Sequence, residues 1–178
     1  MRRSSAVLLT RRSGDRHQVF LVERAAHLRF FGGYWAFPGG VVDEVDRLPG
    51  DADERAALER CALRELFEET GVLGPELSRA IPRARRRELR AALLDRGSDA
   101  GAWREFVHAA DADRRALRHV TTITTPPFAP VRHQTPFLHL ELPDGEAPEV
   151  LEGELVRGAF FDAEEVLETW SAGRQDVA

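Results

Sequence analysis

Lysine is absent from the chain: all 25 basic residues among its 178 are arginine. No lysine Schiff base and no P-loop lysine can therefore operate here; the absence itself reads as a compositional bias of the source genome. Cysteine occurs once, at Cys61, which excludes an internal disulfide and a metal site built from thiolates. It lies in a helix-like stretch, where a small buried apolar residue is preferred over a nucleophile. No apolar run approaches the roughly 18 residues that a membrane span needs. The stretch Ala6–Leu9 after Met1-Arg2-Arg3 is too short for a signal peptide and continues into Arg11-Arg12, so a cytoplasmic location is expected. An excess of positive charge is also missing. The basic residues face 30 acidic ones, a formal net charge of −5, which excludes a strongly basic nucleic-acid binder but leaves room for a local basic patch.

What is present is a globular composition, 43% hydrophobic and 31% charged, with no internal repeat and no low-complexity linker. A chain of this length buries roughly 70% of the surface its unfolded form exposes, so it needs no covalent staple. One domain spanning residues 1–178 is expected.

Ala6–Thr10 and Val19–Val22 read as strands at hairpin distance around the turn residues Ser13-Gly14-Asp15. Residues 30 to 40, Phe-Phe-Gly-Gly-Tyr-Trp-Ala-Phe-Pro-Gly-Gly, suit a shaped loop leading into a short strand at Val41-Val42. A polar stretch from Asp43 to Asp53 precedes a helix from about Glu54 to Thr70, whose apolar face is Leu58, Cys61, Ala62 and Leu66, and Gly71 is placed to stop it. Residues 75 to 116 look helical. Arg83 to Arg90 carries five arginines, which is either a solvated helix face or a patch for a partner or a phosphate. Strands follow at His119–Thr125, Phe137–Leu142 and Leu155–Phe161. Asp162 with Glu165 forms a capping-box pattern opening a last helix through Trp170. This order points to an α/β or α+β layered domain with a mixed sheet.

The chemistry concentrates in the helix 54–70. Glu65 and Glu69 are four apart and Glu68 is three from Glu65, so one helical face carries three carboxylates. They repel each other in water, and a divalent cation reverses that sign. Mg²⁺ takes hard oxygen ligands, a few carboxylates from the protein and phosphates from the substrate. Arg64, four before Glu68, can hold that carboxylate. Upstream, Phe37-Pro38-Gly39-Gly40 lets backbone groups approach a metal or a phosphate closely.

Arg64 to Val72 resembles the core of the Nudix box, Arg-Glu-apolar-x-Glu-Glu-x-Gly-apolar, at every specified position. The family's box opens with Gly, five residues, Glu, and seven residues before the Arg. Here five residues separate Gly40 from Asp46, which stands in place of Glu, and seventeen residues separate Asp46 from Arg64, a ten-residue insertion. A polar loop absorbs such an insertion at little cost. The resemblance implies an α/β fold, the Nudix-type α/β/α sandwich with a mixed sheet, in which residues 75–116 form a helical insertion. It implies hydrolysis of a nucleoside diphosphate linked to another group, with Mg²⁺ or Mn²⁺ held by Glu65, Glu68, Glu69 and the carbonyl of Gly40. The base that takes the proton of the attacking water is Glu65 in some members; in others it is a Glu before the last strand, where Glu154 stands here with Glu152 nearby. Many members pair as homodimers.

A second resemblance narrows the substrate. Arg24-Ala25, Arg29, Gly33 and Phe37-Pro38-Gly39-Gly40 follow the spacing of the coenzyme A diphosphatase branch; only the opening of that pattern differs. Arg24 and Arg29 become candidate phosphate partners, since a guanidinium grips phosphate bidentately. Pro130, Arg132, Thr135 and Phe137 match a stretch of a peroxisomal-type branch, which adds Arg132. Phe37 joins the substrate-binding set, and Phe31, Trp35 and Phe137 are candidates to stack an adenine or to pack the core. The expected substrate is coenzyme A or an acyl-coenzyme A, a small nucleotide-type molecule. The alternatives are ADP-ribose or NADH, a non-catalytic ligand sensor, and an RNA-cap or mutagenic-nucleotide hydrolase. The acidic net charge argues against a long RNA.

Overall fold

The computed structural model describes residues 1–29, 31–95, 100–151 and 153–178. Phe30 and Glu152, both singled out above, lie outside the described residues. The elements run β1 (Arg2–Ser13), β2 (Arg16–Arg24), β3 (Trp35–Ala36), β4 (Gly39–Val41), α1 (Glu54–Thr70), α2 (Pro75–Ala80), α3 (Arg83–Leu94), α4 (Ala100–Ala110), β5 (Arg118–Thr124), β6 (His133–Glu141), β7 (Leu155–Asp162) and α5 (Ala163–Ser171), with 3-10 turns at Glu44–Asp46 and Asp111–Ala116.

The seven strands form one mixed sheet. β1 runs parallel to β6 and antiparallel to β2 and β4, while β5 lies outside β6 and β7 outside β2. The hairpin β1–β2 closes through Gly14-Asp15, with Gly14 at φ 62°, a backbone that glycine adopts freely. The two strands pair only near that turn, from Thr10↔Val19 to Ser13↔Arg16. Beyond it they diverge, and β3 and β4 fill the gap: β3 pairs with Val22 and Glu23 of β2, and β4 with Ser4 to Ala6 of β1. The link between them, Phe37-Pro38, therefore sits at the fork, where the Pro38 carbonyl accepts from Val7 N at 2.8 Å. This is how Gly39 and Gly40 come to lie beside α1.

Alternation sorts the two faces of the sheet. Val7, Leu9, Phe20 and Val22 pack under α1 in a core shared with Leu66, Phe67, Trp103 and Phe106. Val19 and Leu21 face the other way, toward Val166 of α5 and the rings of Trp35, Phe37 and Phe161. Helices on both faces make three layers, the expected α/β/α arrangement. The helices of residues 75–116 add cover on the outer side of α1, where the Phe106 ring stacks on Phe67 at 5.1 Å. No helix is long and apolar enough to cross a membrane among the described residues.

α1 carries both terminal signals. The Asp53 carboxylate accepts from Arg55 N at 3.0 Å, and Gly71 ends the helix at φ 70°, its N–H donating to Phe67 O. α2 has no cap of its own at Gly74. Instead the buried Asp113 carboxylate accepts from Glu76 N at 2.6 Å and Leu77 N at 3.1 Å, capping α2 from a distance. α5 is capped by Asp162 through Glu164 N. Cys61 is fully buried on α1, and burial pushes its thiol up, far above any thiolate range. It packs, as expected.

Candidate active site

α1 is enclosed between the sheet and the outer helices, so its polar residues are buried along with its apolar ones: Glu59, Arg60, Arg64, Glu65 and Glu68 are each at most 8% exposed. Buried charges need partners, and the partners define the site. The Arg64 guanidinium is the hub. Its Nε and Nη2 each donate to the Asp46 carboxylate at 2.9 Å, a bidentate pair. Its Nη1 reaches Glu65 at 2.8 Å and Glu68 at 3.3 Å. The Trp103 ring of α4 lies 5.1 Å from the guanidinium and seals its outer side. Burial works against this charge, but Asp46 and Glu65 outweigh it and hold Arg64 above its ordinary range.

Asp46, the family's departing residue, is thus fully buried and structurally engaged. Its carboxylate also accepts from Asp43 N at 2.8 Å, within a reciprocal capping box that closes the turn Glu44–Asp46. The inserted loop is secured further by Arg60, one turn before Arg64. Arg60 donates to Asp46 O at 2.8 Å and to Asp111 at 2.6 Å, and also pairs with Asp51. Asp51 in turn accepts from Leu48 N. The insertion is therefore an ordered loop clamped by two arginines of the helix that it precedes.

The three acids divide. Glu65 and Glu68 meet on Arg64, while Glu69 accepts from Gly39 N at 2.9 Å. Among the described residues no three acidic, histidine or cysteine side chains converge as a ready-made cation cage. The glycine pair separates two demands. A Cβ at Gly40 would stand 2.4 Å from the Glu65 carboxyl carbon, so the missing side chain leaves room for that carboxylate; a Cβ at Gly39 would stand 2.3 Å from Ser5 O. The Gly40 carbonyl takes the Cys61 thiol at 3.7 Å. Burial, and then the charge of Glu65, pushes the Glu69 carboxyl up to about 8, against the Gly39 N–H and Arg24, which pull it down.

Arg24 ends β2 beside this cluster. Its Nε is buried and has no acceptor. Arg29 is exposed in the turn that follows, and Arg132 is exposed at the start of β6, its carbonyl accepting from Arg2 N. Phe37 is half-buried in the second core, edge-on to Phe137 at 5.8 Å, and Trp35 packs on Phe161. Phe31 differs: it is 59% exposed, at φ 52°. Glu154 is exposed, its carbonyl tied to Ala25 N at 2.9 Å, next to Arg24. So the fold gathers Gly40, Arg64, Glu65, Glu68, Glu69 and Arg24, and leaves Arg29 and Arg132 on the surface.

Sequence reasoning missed Arg60, Asp51 and Asp111. The signal was there: Arg60 and Arg64 are like charges one turn apart, on a face that the apolar pattern buries, and such a pair demands acids from elsewhere. The arginines of α3 also proved more than a solvated face. Arg90 is buried and donates to Glu68 O at 2.9 Å and Glu149 O at 2.7 Å, and Arg86 pairs with Glu146 at 2.5 Å.

Residues 1–118 match the NUDIX domain family. A putative nudix hydrolase 7 of Caenorhabditis elegans is 27% identical over 157 residues, 88% of this chain and 50% of that protein, so the chain spans half the length of that curated relative. A crystal structure of a NUDIX hydrolase from Alicyclobacillus acidocaldarius superposes over 100% of this chain and 86% of its own, with a TM-score of 0.78 and 25% identity. The NUDIX domain of Shewanella oneidensis NrtR, solved with ADP ribose, shares the fold at a TM-score of 0.56 and 17% identity, over 94% of this chain and 77% of its own. The family match over more than half the chain, together with the box residues gathered around Arg64, places this chain in the Nudix family.

Proposed function

We propose that the chain is a metal-dependent diphosphatase that hydrolyses the diphosphate of coenzyme A or an acyl-coenzyme A, giving a phosphopantetheine product and adenosine 3′,5′-bisphosphate. The observation that carries the reading is Arg24. It is the strand-end arginine of the coenzyme A pattern, it stands beside Glu69, and its buried Nε has no acceptor. A buried guanidinium nitrogen without an acceptor next to an acidic cluster is what a phosphate oxygen would satisfy.

The residues present fit a hard divalent cation, Mg²⁺ or Mn²⁺. Glu65, Glu68 and Glu69 supply oxygens, Gly40 leaves room for the Glu65 carboxylate, and Glu69 sits among like charges that a dication would relieve. The bound metal would neutralise the diphosphate and lower the pKa of the attacking water. Arg64 positions Glu65 and Glu68, and Asp46 fixes Arg64. Glu65 takes the proton of the water, with Glu154 as the alternative base on the segment tied to Ala25. Arg24 holds a phosphate oxygen; Arg29 and Arg132 reach the substrate's outer phosphate from the surface. Exposed Phe31 offers its face to the adenine, and Phe37, packed against Phe137, anchors the turn that carries Gly39 and Gly40 to the acids. Residues 1–178 act as one domain, with 75–116 as a helical insertion that encloses Arg64.

The competing substrate is ADP-ribose, favoured by the likeness in fold to the ADP-ribose-bound domain. Incubation with Mg²⁺ and coenzyme A, ADP-ribose and NADH side by side, with products identified by mass, separates them. Turnover of coenzyme A at the diphosphate supports the reading. Preference for ADP-ribose overturns the substrate, and no turnover of any of the three favours a sensor. Glu69→Gln should lower turnover by more than about 100-fold with the fold intact.

A further inference from the structure

The arginines of α3 line a cavity of about 440 Å³ between that helix and the segment Gly145–Leu151. Arg83, Arg86, Arg87 and Arg90 contribute four guanidinium groups against the carboxylates of Glu146 and Glu149. Arg86 is already matched, pairing with Glu146 and donating to Ser78 O at 2.9 Å. Arg83 reaches the carbonyl of Gly145, and Arg87 is exposed. Arg90 is the telling member. It is 6% exposed, and its Nε and Nη1 are spent on two backbone carbonyls. Its Nη2 is buried with no acceptor. A guanidinium that only tied two segments together would not need a third nitrogen left dry, which is unfavourable in a buried position.

We propose that this cavity is a second anion site, separate from the Glu65–Glu69 cluster, that binds a phosphate group. A phosphate oxygen completes Arg90, and Arg87 and Arg83 close on the remaining oxygens from the rim. Leu94 and Leu151, 46% and 43% exposed, flank the opening and suit a ligand with an apolar part beyond its phosphate. Two sources share this chemistry: free phosphate acting as an effector, and a phosphate of the substrate remote from the hydrolysed bond. The site stands on its own residues and does not depend on the proposed reaction.

The test uses the full chain in EDTA, at constant ionic strength, titrated with inorganic phosphate and followed by the Gly71 amide resonance. Saturable binding is expected with a dissociation constant at or below about 1 mM. Arg83→Ala with Arg87→Ala should weaken it at least tenfold, and Arg87→Glu alone should do the same; both positions are exposed, so the fold persists, as amide dispersion checks. Arg24→Ala should leave phosphate binding at this cavity unchanged. Coenzyme A and dephospho-coenzyme A separate the sources. If the site serves the substrate, the double variant shrinks the preference for coenzyme A over dephospho-coenzyme A; if it serves free phosphate, the double variant keeps that preference as in the wild type. Phosphate that never saturates, or that binds the double variant as well as the wild type, overturns the site.

Discussion

At the residue scale, adjacent glycines answer to different masters. A methyl group at Gly40 meets the far end of the Glu65 side chain, which can move away; a methyl group at Gly39 meets the backbone of β1, which cannot. Gly40→Ala should therefore leave the melting temperature nearly unchanged while turnover falls at least about tenfold, since it displaces a proposed ligand. Gly39→Ala should do the reverse, with a clear loss of melting temperature that tracks any loss of activity. Arg60 makes a different prediction. It is 1% exposed and bound to Asp46 O, Asp51 and Asp111, so Arg60→Met leaves the buried Asp46 O unmatched and the inserted loop without its anchor, and should cost about 1–3 kcal/mol by urea denaturation. Burial pushes Asp51 and Asp111 up, but Arg60 outweighs it and holds both below the usual carboxylate range. Their folded pKa values lie below the unfolded ones, so their stabilisation is present above about pH 4 and lost as pH falls through the folded values. Asp51→Asn with Asp111→Asn should flatten the acid limb of the urea midpoint between pH 7 and pH 2. A midpoint that falls as steeply as in the wild type would contradict the pairing.

At the element scale, α1 was the most legible part of the chain. Its bounds, its stop at Gly71 and its apolar face follow from spacing and capping, because they are local. The strands of β1, β2, β6 and β7 were also visible, though each extends past the apolar run that marks it, since backbone pairing continues into polar residues at the sheet rim. What local patterns cannot carry is a cap supplied from a distance. α2 lacks a capping side chain, and Asp113, far along the chain, provides it. Asp113→Ala should cost about 1–2 kcal/mol in thermal or urea unfolding, whereas Asp111→Ala should leave α2 capped. The arginines of α3 taught the same lesson from the other side. A basic run reads as solvated until the loop that covers it is placed, and here that loop buries Arg90 against Glu68 O and Glu149 O.

At the scale of the whole molecule, the box needs layers on both sides. The sheet brings Gly39 and Gly40 to one side of α1 through the fork between β1 and β2. The helices of residues 75–116 close the other, placing Trp103 over Arg64 and Asp111 on Arg60. The expectation that the ten-residue insertion is a cheap polar loop captures its exposure and misses its anchoring, because the arginines that hold it belong to the helix and looked like ordinary charged positions. The residues proposed to face the substrate were legible only as motif positions: Arg24 stands by the acids, while Arg29 and Arg132 lie exposed, and their spacing alone could not say how far they stand from the cluster.

The central claim is that Glu65, Glu68 and Glu69 hold a divalent cation against a diphosphate. Titration of the metal-free full chain with Mn²⁺, read by calorimetry and by electron paramagnetic resonance, tests it most directly. Saturable binding that is lost when Glu65 and Glu69 are replaced by glutamine, in variants that still unfold cooperatively, is the predicted result; Mn²⁺ that binds those variants as well as the wild type, or that binds neither, contradicts it.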